Sequence, residues 1–447
     1  MDVDRDQDRA GAVAREEHGS LRRVLTLRQA VGLGVGGTIG GGIFVLVGAA
    51  GGVAGPGALL SFVLAFLAAV LIAVPYAELA CRFPQAGGGY AFSRAVLGPE
   101  WGFIMGWGFW GAYIFVSGYV TLGFGGYLQV LTGLPAVAGA LALIAASAAV
   151  NLVGIRLSAT TQAAVVLAAV IGLAGFSLAG LPHIEAARFS PFLPMGLSGV
   201  LGAALLAFLA FGGFDMIAAA GEEVERPERN LPAAILLTLA IALGLYLLVT
   251  FVALGVMPWA DLRTSPAPLA AAAAASLGPA GRRLVSAAAL LTTAATANAV
   301  LVVTSRIAFA MARDGMLPTA LAALRPTSRV PATAVATNAA LLAVVALTGS
   351  VRLAVAVGGC LYVAHFVPPL VALAILRRRD QTRTGATPAF RTPAPAVLLP
   401  LALAACAVMI VASGIRGVLG ALAWLALGLL LRWGQRWRKR SVASISS

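Results

Sequence analysis

Long stretches of this chain carry no charge at all. None occurs from Gln29 to Ala77, and none from Trp101 to Ile155. Each run far exceeds the roughly 20 apolar residues that cross a bilayer as a helix. Glycine and proline punctuate both: the first is broken at Gly51-Gly52-Val53-Ala54-Gly55-Pro56-Gly57 and the second at Gly133-Leu134-Pro135, so each predicts two helices. The apolar runs that follow predict helices over Leu157–Leu181, Leu197–Gly221, Leu231–Met257, Leu284–Met311, Pro331–Leu347, Leu353–Leu376, Pro393–Ser413 and Gly417–Leu431. The pattern is that of an all-α polytopic membrane protein with about 12 transmembrane helices. The last run is short, and Arg416 and Arg432 stand where they can snorkel to the interfaces.

Composition agrees: 60% of the 447 residues are hydrophobic and 11% charged, against about 45–50% and about 25% in soluble domains. The net charge of +14 raises nucleic-acid binding, but the positions of the positive charges argue otherwise. With the N-terminus inside and the helices alternating, all Lys and Arg fall on the inner side except Arg188, Arg263, Arg282, Arg283, Arg352 and Arg416. That asymmetry predicts cytoplasmic termini and inner loops facing anionic headgroups, with no nucleic-acid partner. The polar first 25 residues lack an apolar core, so no cleavable signal peptide is expected. Cys81, Cys360 and Cys406 show neither metal-ligand spacing nor a disulfide framework, so no metal and no disulfide-linked partner are expected.

The first predicted helix is unusual. About half of Gly32-Leu33-Gly34-Val35-Gly36-Gly37-Thr38-Ile39-Gly40-Gly41-Gly42-Ile43-Phe44 is glycine, and each glycine weakens a helix interior by roughly 1 kcal/mol relative to Ala. Such a segment can open its backbone in mid-membrane, provided protein or water encloses it. Ala207-Phe208-Leu209-Ala210-Phe211-Gly212-Gly213-Phe214-Asp215 places a second glycine pair in mid-span, five helices later. Interruptions at matching positions of two halves point to a solute site at their interface. Half-helix N-termini there attract a carboxylate and exposed carbonyls an ammonium. Glycines four apart, such as Gly32 and Gly36, are equally the small-xxx-small pattern of close helix packing.

These residues resemble a known family. Gly37 to Phe44 is similar to the first-helix motif of amino acid permeases in the amino acid–polyamine–organocation (APC) superfamily. So are Tyr76-Ala77-Glu78-Leu79 with Arg82-Phe83-Pro84-Gln85-Ala86-Gly87-Gly88-Gly89-Tyr90, Phe208 to Asp215 with Glu222-Glu223-Val224 and Pro227-Glu228-Arg229-Asn230-Leu231-Pro232, and Arg306 to Pro318. The four blocks keep the family's order from about Leu27 to Leu376, in the branch of the bacterial relatives of cationic amino acid transporters.

The resemblance implies a LeuT-type five-plus-five inverted repeat with discontinuous helices 1 and 6. The chain then divides into a cytoplasmic N-terminal tail (1–26), a ten-helix transport core (27–378), two additional transmembrane helices with their preceding loop (379–433) and a basic cytoplasmic C-terminal tail (434–447). It implies a secondary transporter of the cytoplasmic membrane that moves amino acids by alternating access, without cofactor or enzymatic activity. The substrate carboxylate would meet the amides of Gly41 and Gly42, with Gly40 adjacent. The α-amine would meet the carbonyls of Thr38, Ile39, Phe208, Ala210 and Phe211, and Phe208 matches an aromatic that closes over substrate. Two departures stand out. Gly41 replaces a frequent Ser or Thr, and Ala169 stands where many members carry a fifth-helix lysine; the only lysine is Lys439. Proton coupling through that lysine is therefore not expected, which leaves sodium, another proton carrier, exchange or uniport.

Asp215 is the one acid well inside a predicted span, either a titrating group or an N-cap of the lower half-helix. Glu78 and Arg82 form an i,i+4 pair. Glu222 and Glu223, near Arg226 and Arg229, read as an inner-loop charge network available for gating or as a solvated cluster. His365 reads as a hydrogen-bonded packing residue and Pro368-Pro369 as a kink near the inner end of helix 10. Asn298 with Thr292, Thr293 and Thr296 gives helix 8 a polar face for interhelical hydrogen bonds. Two other functions fit less of the chain: a polyamine or amine-metabolite permease on the same fold, and a non-transporting sensor or partner-dependent subunit.

Overall fold

The computed structural model describes residues 25–83, 88–154, 159–219, 221–325, 330–380 and 390–445. The expected N-terminal tail up to residue 24, the Pro84 to Gly87 part of the second motif, Arg156 and residues 381–389 of the loop before the last two helices lie outside these. Among the described residues the elements are helices, joined by one parallel bridge between Leu25 and Val224. Ten helices are long and apolar enough to cross a membrane, with Gly42–Arg82 taken as one, and Ala332–Leu347 is a shorter apolar helix.

The first span is two pieces, α1 (Leu27–Thr38) and α2 (Gly42–Ala54), separated by non-helical Ile39 to Gly41. A turn at Gly55–Gly57 leads into α3 (Ala58–Arg82). Gly55 sits at φ +61°, beside Pro194, where a Cβ would not fit. A short helix, α4 (Gly88–Leu97), follows in what reads from sequence as loop. It buries Phe92 and Ser93 but is half the length of a span, so hydropathy alone misses it. Next come α5 (Pro99–Thr132), α6 (Ala136–Val153) and α7 (Ala159–Gly180).

The sixth span is again split, into α8 (Gly196–Ala210) and α9 (Phe214–Ala219). After α10 (Pro227–Val256) and a short helix, α11 (Trp259–Thr264), α12 runs Pro268–Arg313. The eighth helix thus begins well before the expected Leu284, with a break at Gly278 (φ +66°) ahead of Pro279. The chain ends with α13 (Ala332–Leu347), α14 (Val351–Ala364), α15 (Val367–Asp380), α16 (Pro395–Ala412) and α17 (Gly414–Ile445). The interruption between α14 and α15 falls at His365 and Phe366, closer to mid-span than expected. Pro368 and Pro369 lack the N–H groups that would have closed on the carbonyls of Ala364 and His365.

Interruptions of spans 1 and 6 at corresponding places of the two halves give the LeuT-type plan of discontinuous helices. The outward faces of α7, α16 and α17 expose Leu167, Ile171, Val411 and Ile415, the surface that lipid covers. The last span is bolted to α5. Trp107 and Trp424 stack at 4.9 Å, and each indole N–H donates to the other's backbone carbonyl, at 2.6 and 3.0 Å. At the far end of α3, fully buried Glu78 ties three segments together. It accepts from Arg82 (2.6 Å), Arg377 (2.8 Å) and the Thr392 amide (2.8 Å), and Arg82 also pairs with Asp380 at 2.7 Å. The expected helical pair is therefore one edge of a larger knot.

Candidate functional site

The break in span 1 starts where α1 closes its last turn, Ile39 N–H donating to Val35 C=O at 2.7 Å. The chain then turns through Gly40 and Gly41, both pressed against α12. Gly41 N–H donates to Thr296 Oγ1 at 3.0 Å, and a Cβ on Gly40 would lie 2.8 Å from that oxygen. Thr296 in turn donates to the Thr292 carbonyl at 2.8 Å, and Asn298 accepts from Asn151 at 2.8 Å. The polar face of helix 8 thus makes the expected interhelical bonds, one of them to the broken backbone itself.

The break in span 6 is built differently. Phe211 and Gly212 N–H groups reach back three residues, to the carbonyls of Phe208 (3.0 Å) and Leu209 (3.1 Å), tightening the end of α8. Gly213 then adopts φ +115° and rests on span 1: a Cβ there would lie 2.6 Å from Gly37 O and 2.8 Å from Thr38 N. Tyr246 of α10 staples the two breaks, its hydroxyl lying 2.7 Å from the Thr38 carbonyl and 2.9 Å from that of Ala210. Both carbonyls would otherwise be unpaired acceptors in a buried place.

Thr38, Ile39, Gly40, Gly41, Gly42, Phe208, Ala210 and Phe211 therefore form one buried cluster. Gly42 faces Tyr119, whose hydroxyl would lie 3.2 Å from a Cβ on that residue, with Ala210 Cα at 3.9 Å. The ring of Phe208 lies against Tyr362 and Phe366, and that of Phe211 against Phe62 and Tyr246. Thr38 Oγ1 is buried without a hydrogen-bond partner among the described residues. Ala169, at the fifth-helix position, is buried.

Asp215 is buried beside the cluster. Its Oδ1 accepts from Tyr362 (3.1 Å) and from Gly213 N–H (3.2 Å), and its Oδ2 from Tyr113 (3.2 Å). The bond to Gly213 joins it to the break, and the tyrosines add partners that a simple N-cap lacks. His365 Nε2 stands 3.8 Å from Oδ2. Neither ring nitrogen makes a regular hydrogen bond among the described residues; the Tyr362 carbonyl is the one backbone acceptor that acts on the ring. Glu223 lies apart from this cluster. Its carbonyl accepts from Leu25 N–H at 2.8 Å, and it forms no ion pair among the described residues; the Glu222 side chain lies outside them. Among the described residues no group of three or more His, Cys, Asp or Glu could hold a metal.

Sequence reasoning missed Tyr246, Tyr119, Tyr113 and Tyr362. The available signal was scarcity: six of the chain's seven tyrosines are buried in apolar helices, where a phenol is retained when its hydroxyl has work to do.

The sequence profile of the amino acid permease family matches residues 29–423. The branched-chain amino acid permease BcaP of Bacillus subtilis (strain 168) is 31% identical over 95% of both chains. A methylthioribose transporter of the same organism is 31% identical over 71% of this chain and 73% of its own. Human cationic amino acid transporter 4 is 35% identical over 70% of this chain and 53% of its own. On this family match over nearly its whole length, the chain belongs to the amino acid permease family.

Proposed function

We propose that this permease is a secondary transporter that carries neutral, apolar amino acids across the cytoplasmic membrane by alternating access. The reading rests above all on the backbone of span 1 meeting that of span 6 at Gly37 and Gly213, with Tyr246 joining Thr38 to Ala210. The first amides of α2, from Gly42 on, lack carbonyl partners one turn earlier, so they favour an anion at the helix N-terminus. Gly41 N–H is spent on Thr296, which makes Gly42 the principal carboxylate contact. Of the carbonyls assigned to the amine, those of Thr38 and Ala210 already meet the Tyr246 hydroxyl and that of Phe208 accepts from Phe211 N–H, so an ammonium there uses their second lone pairs or the carbonyls of Ile39 and Phe211. The side chains named around this point are Ile39, Phe208, Phe211 and Tyr119, without a charge; the nearby acid, Asp215, is occupied by two tyrosines and an amide. An uncharged substrate side chain suits such a lining, as does the likeness to a branched-chain permease over nearly the whole chain.

The same reading puts both termini in the cytoplasm, a ten-helix core over 27–378, and the last two helices outside it. Uptake of radiolabelled leucine, isoleucine and valine into proteoliposomes tests it. Failure of every common amino acid to enter or exchange would sink it. Stronger competition by decarboxylated analogues than by the amino acids would favour an amine-metabolite carrier instead.

A further inference from the structure

We propose that Asp215 and His365 form a proton-binding pair that couples transport to the proton gradient. This rests on the transport reading and goes beyond it by naming the coupling ion and its site. Both side chains are buried, at 2% and 0% exposure, and Oδ2 and Nε2 are 3.8 Å apart. That is just beyond a hydrogen bond, and neither imidazole nitrogen makes a regular hydrogen bond among the described residues, the Tyr362 carbonyl being the backbone acceptor that acts on the ring. A buried Nε2 without a hydrogen bond is costly unless it gains a partner in another state, and the carboxylate it faces is that partner. Asp215, for its part, is a carboxyl at membrane depth that no basic side chain pairs with among the described residues other than this imidazole.

The groups around the pair are otherwise uncharged. α5 supplies Tyr113, and α14 supplies Tyr362, both bonded to Asp215. α3 supplies Tyr76, whose hydroxyl accepts Gly89 N–H, and α10 supplies Tyr246, committed to two carbonyls. From α4, Arg94 is held by Asp314; from α1, Arg28 is exposed. The loop after α9 carries Glu223, whose carbonyl is bonded to Leu25, and the start of α10 carries Glu228 and Arg229, both exposed. One proton is the only charge this site can add without a further partner. With it, imidazolium and carboxylate attract and the gap closes; without it, the carboxylate rests on its tyrosine and amide donors. Each residue stands at a helix interruption, Asp215 just past Gly213 and His365 at the α14–α15 kink. Movement at either interruption changes their separation, so the proton's affinity and the gate's position are linked. One proton bound from outside and released inside returns the pair to its starting charge.

The test uses the full chain in proteoliposomes containing a pH-reporting dye, with leucine as the first probe and alanine and lysine as further probes. The readout is protons moved per substrate, a ratio that does not depend on rate. The expected ratio is about one for the natural protein, falling at least fivefold in both His365→Gln and Asp215→Asn. For a variant too slow to transport, calorimetry of leucine binding in two buffers of different ionisation heat reads the proton taken up on binding, which should also vanish. Substrate entry without proton entry in the natural protein overturns the proposal, as does an unchanged ratio in both variants. If the natural protein neither binds, exchanges nor takes up any probe, the transport reading itself has failed and this inference falls with it.

Discussion

Gly213 sits backbone against backbone on Gly37, at a φ of +115° that side chains rarely adopt. Gly213→Ala therefore meets two obstacles at once: about 1–2 kcal/mol of left-handed strain and about 1–3 kcal/mol of overpacking against atoms that cannot rotate away. Melting of the purified protein should drop, and uptake should be lost. Gly32→Ala is the matched control, because a Cβ there meets nothing within 4 Å. Its uptake should be unchanged and its melting temperature the same or slightly higher, since Ala favours the helix over Gly.

Tyr246→Phe removes a hydroxyl that serves two carbonyls from different breaks. The hydroxyl has one proton to give, to either carbonyl or shared between them, and its loss leaves a buried acceptor unpaired at a cost of about 1–3 kcal/mol. The variant should fold but bind leucine at least tenfold more weakly, read by scintillation proximity. Unchanged affinity would show that the staple is not needed to hold the site.

Gly42→Leu should abolish leucine binding, since its side chain must pass between Tyr119 and Ala210, where even a Cβ is 3.2 Å from the tyrosine hydroxyl. Gly42→Ala asks that hydroxyl to yield only a few tenths of an ångström and should weaken binding without ending it. Retained affinity in the leucine variant would refute the assignment of the carboxylate site.

The two breaks were legible because glycine advertises them: Gly40 to Gly42 and Gly212-Gly213 stand out in apolar runs that tolerate few other breakers. The spans themselves followed from the absence of charge. What holds the breaks in register was not legible. Tyr246 is distant in sequence from Thr38, and no periodicity in α10 singles out one phenol. The short helices α4 and α11 were hidden because they are shorter than a membrane is thick. The early start of α12 was hidden by Gly278 and Pro279, which read as the end of a loop. Gly32 to Gly36 read alike, yet the structure separates them: Gly34 is pressed against Ile217 and Thr238, Gly32 against nothing.

Glu78→Ala should be among the most damaging changes far from the site. It strips Arg82 and Arg377 of a shared, fully buried carboxylate and leaves the Thr392 amide without its acceptor. Breaking a buried ion pair from one side costs about 3–5 kcal/mol. The melting temperature should fall sharply, and by more than in Asp380→Ala, whose carboxylate is 36% exposed.

The bridge between Leu25 and Val224 runs through two amide bonds, Leu25 N–H to Glu223 C=O at 2.8 Å and Glu225 N–H to Leu25 C=O at 2.9 Å. It lashes the entry to α1 to the exit from α9, so the inner stumps of both interrupted spans share one handle. Neither can swing out alone while the lashing holds. In the proposed alternating-access cycle the pathway on this side then opens as a single stroke of both stumps, and a spin label near Leu25 should keep time with one near Val224 through the whole cycle.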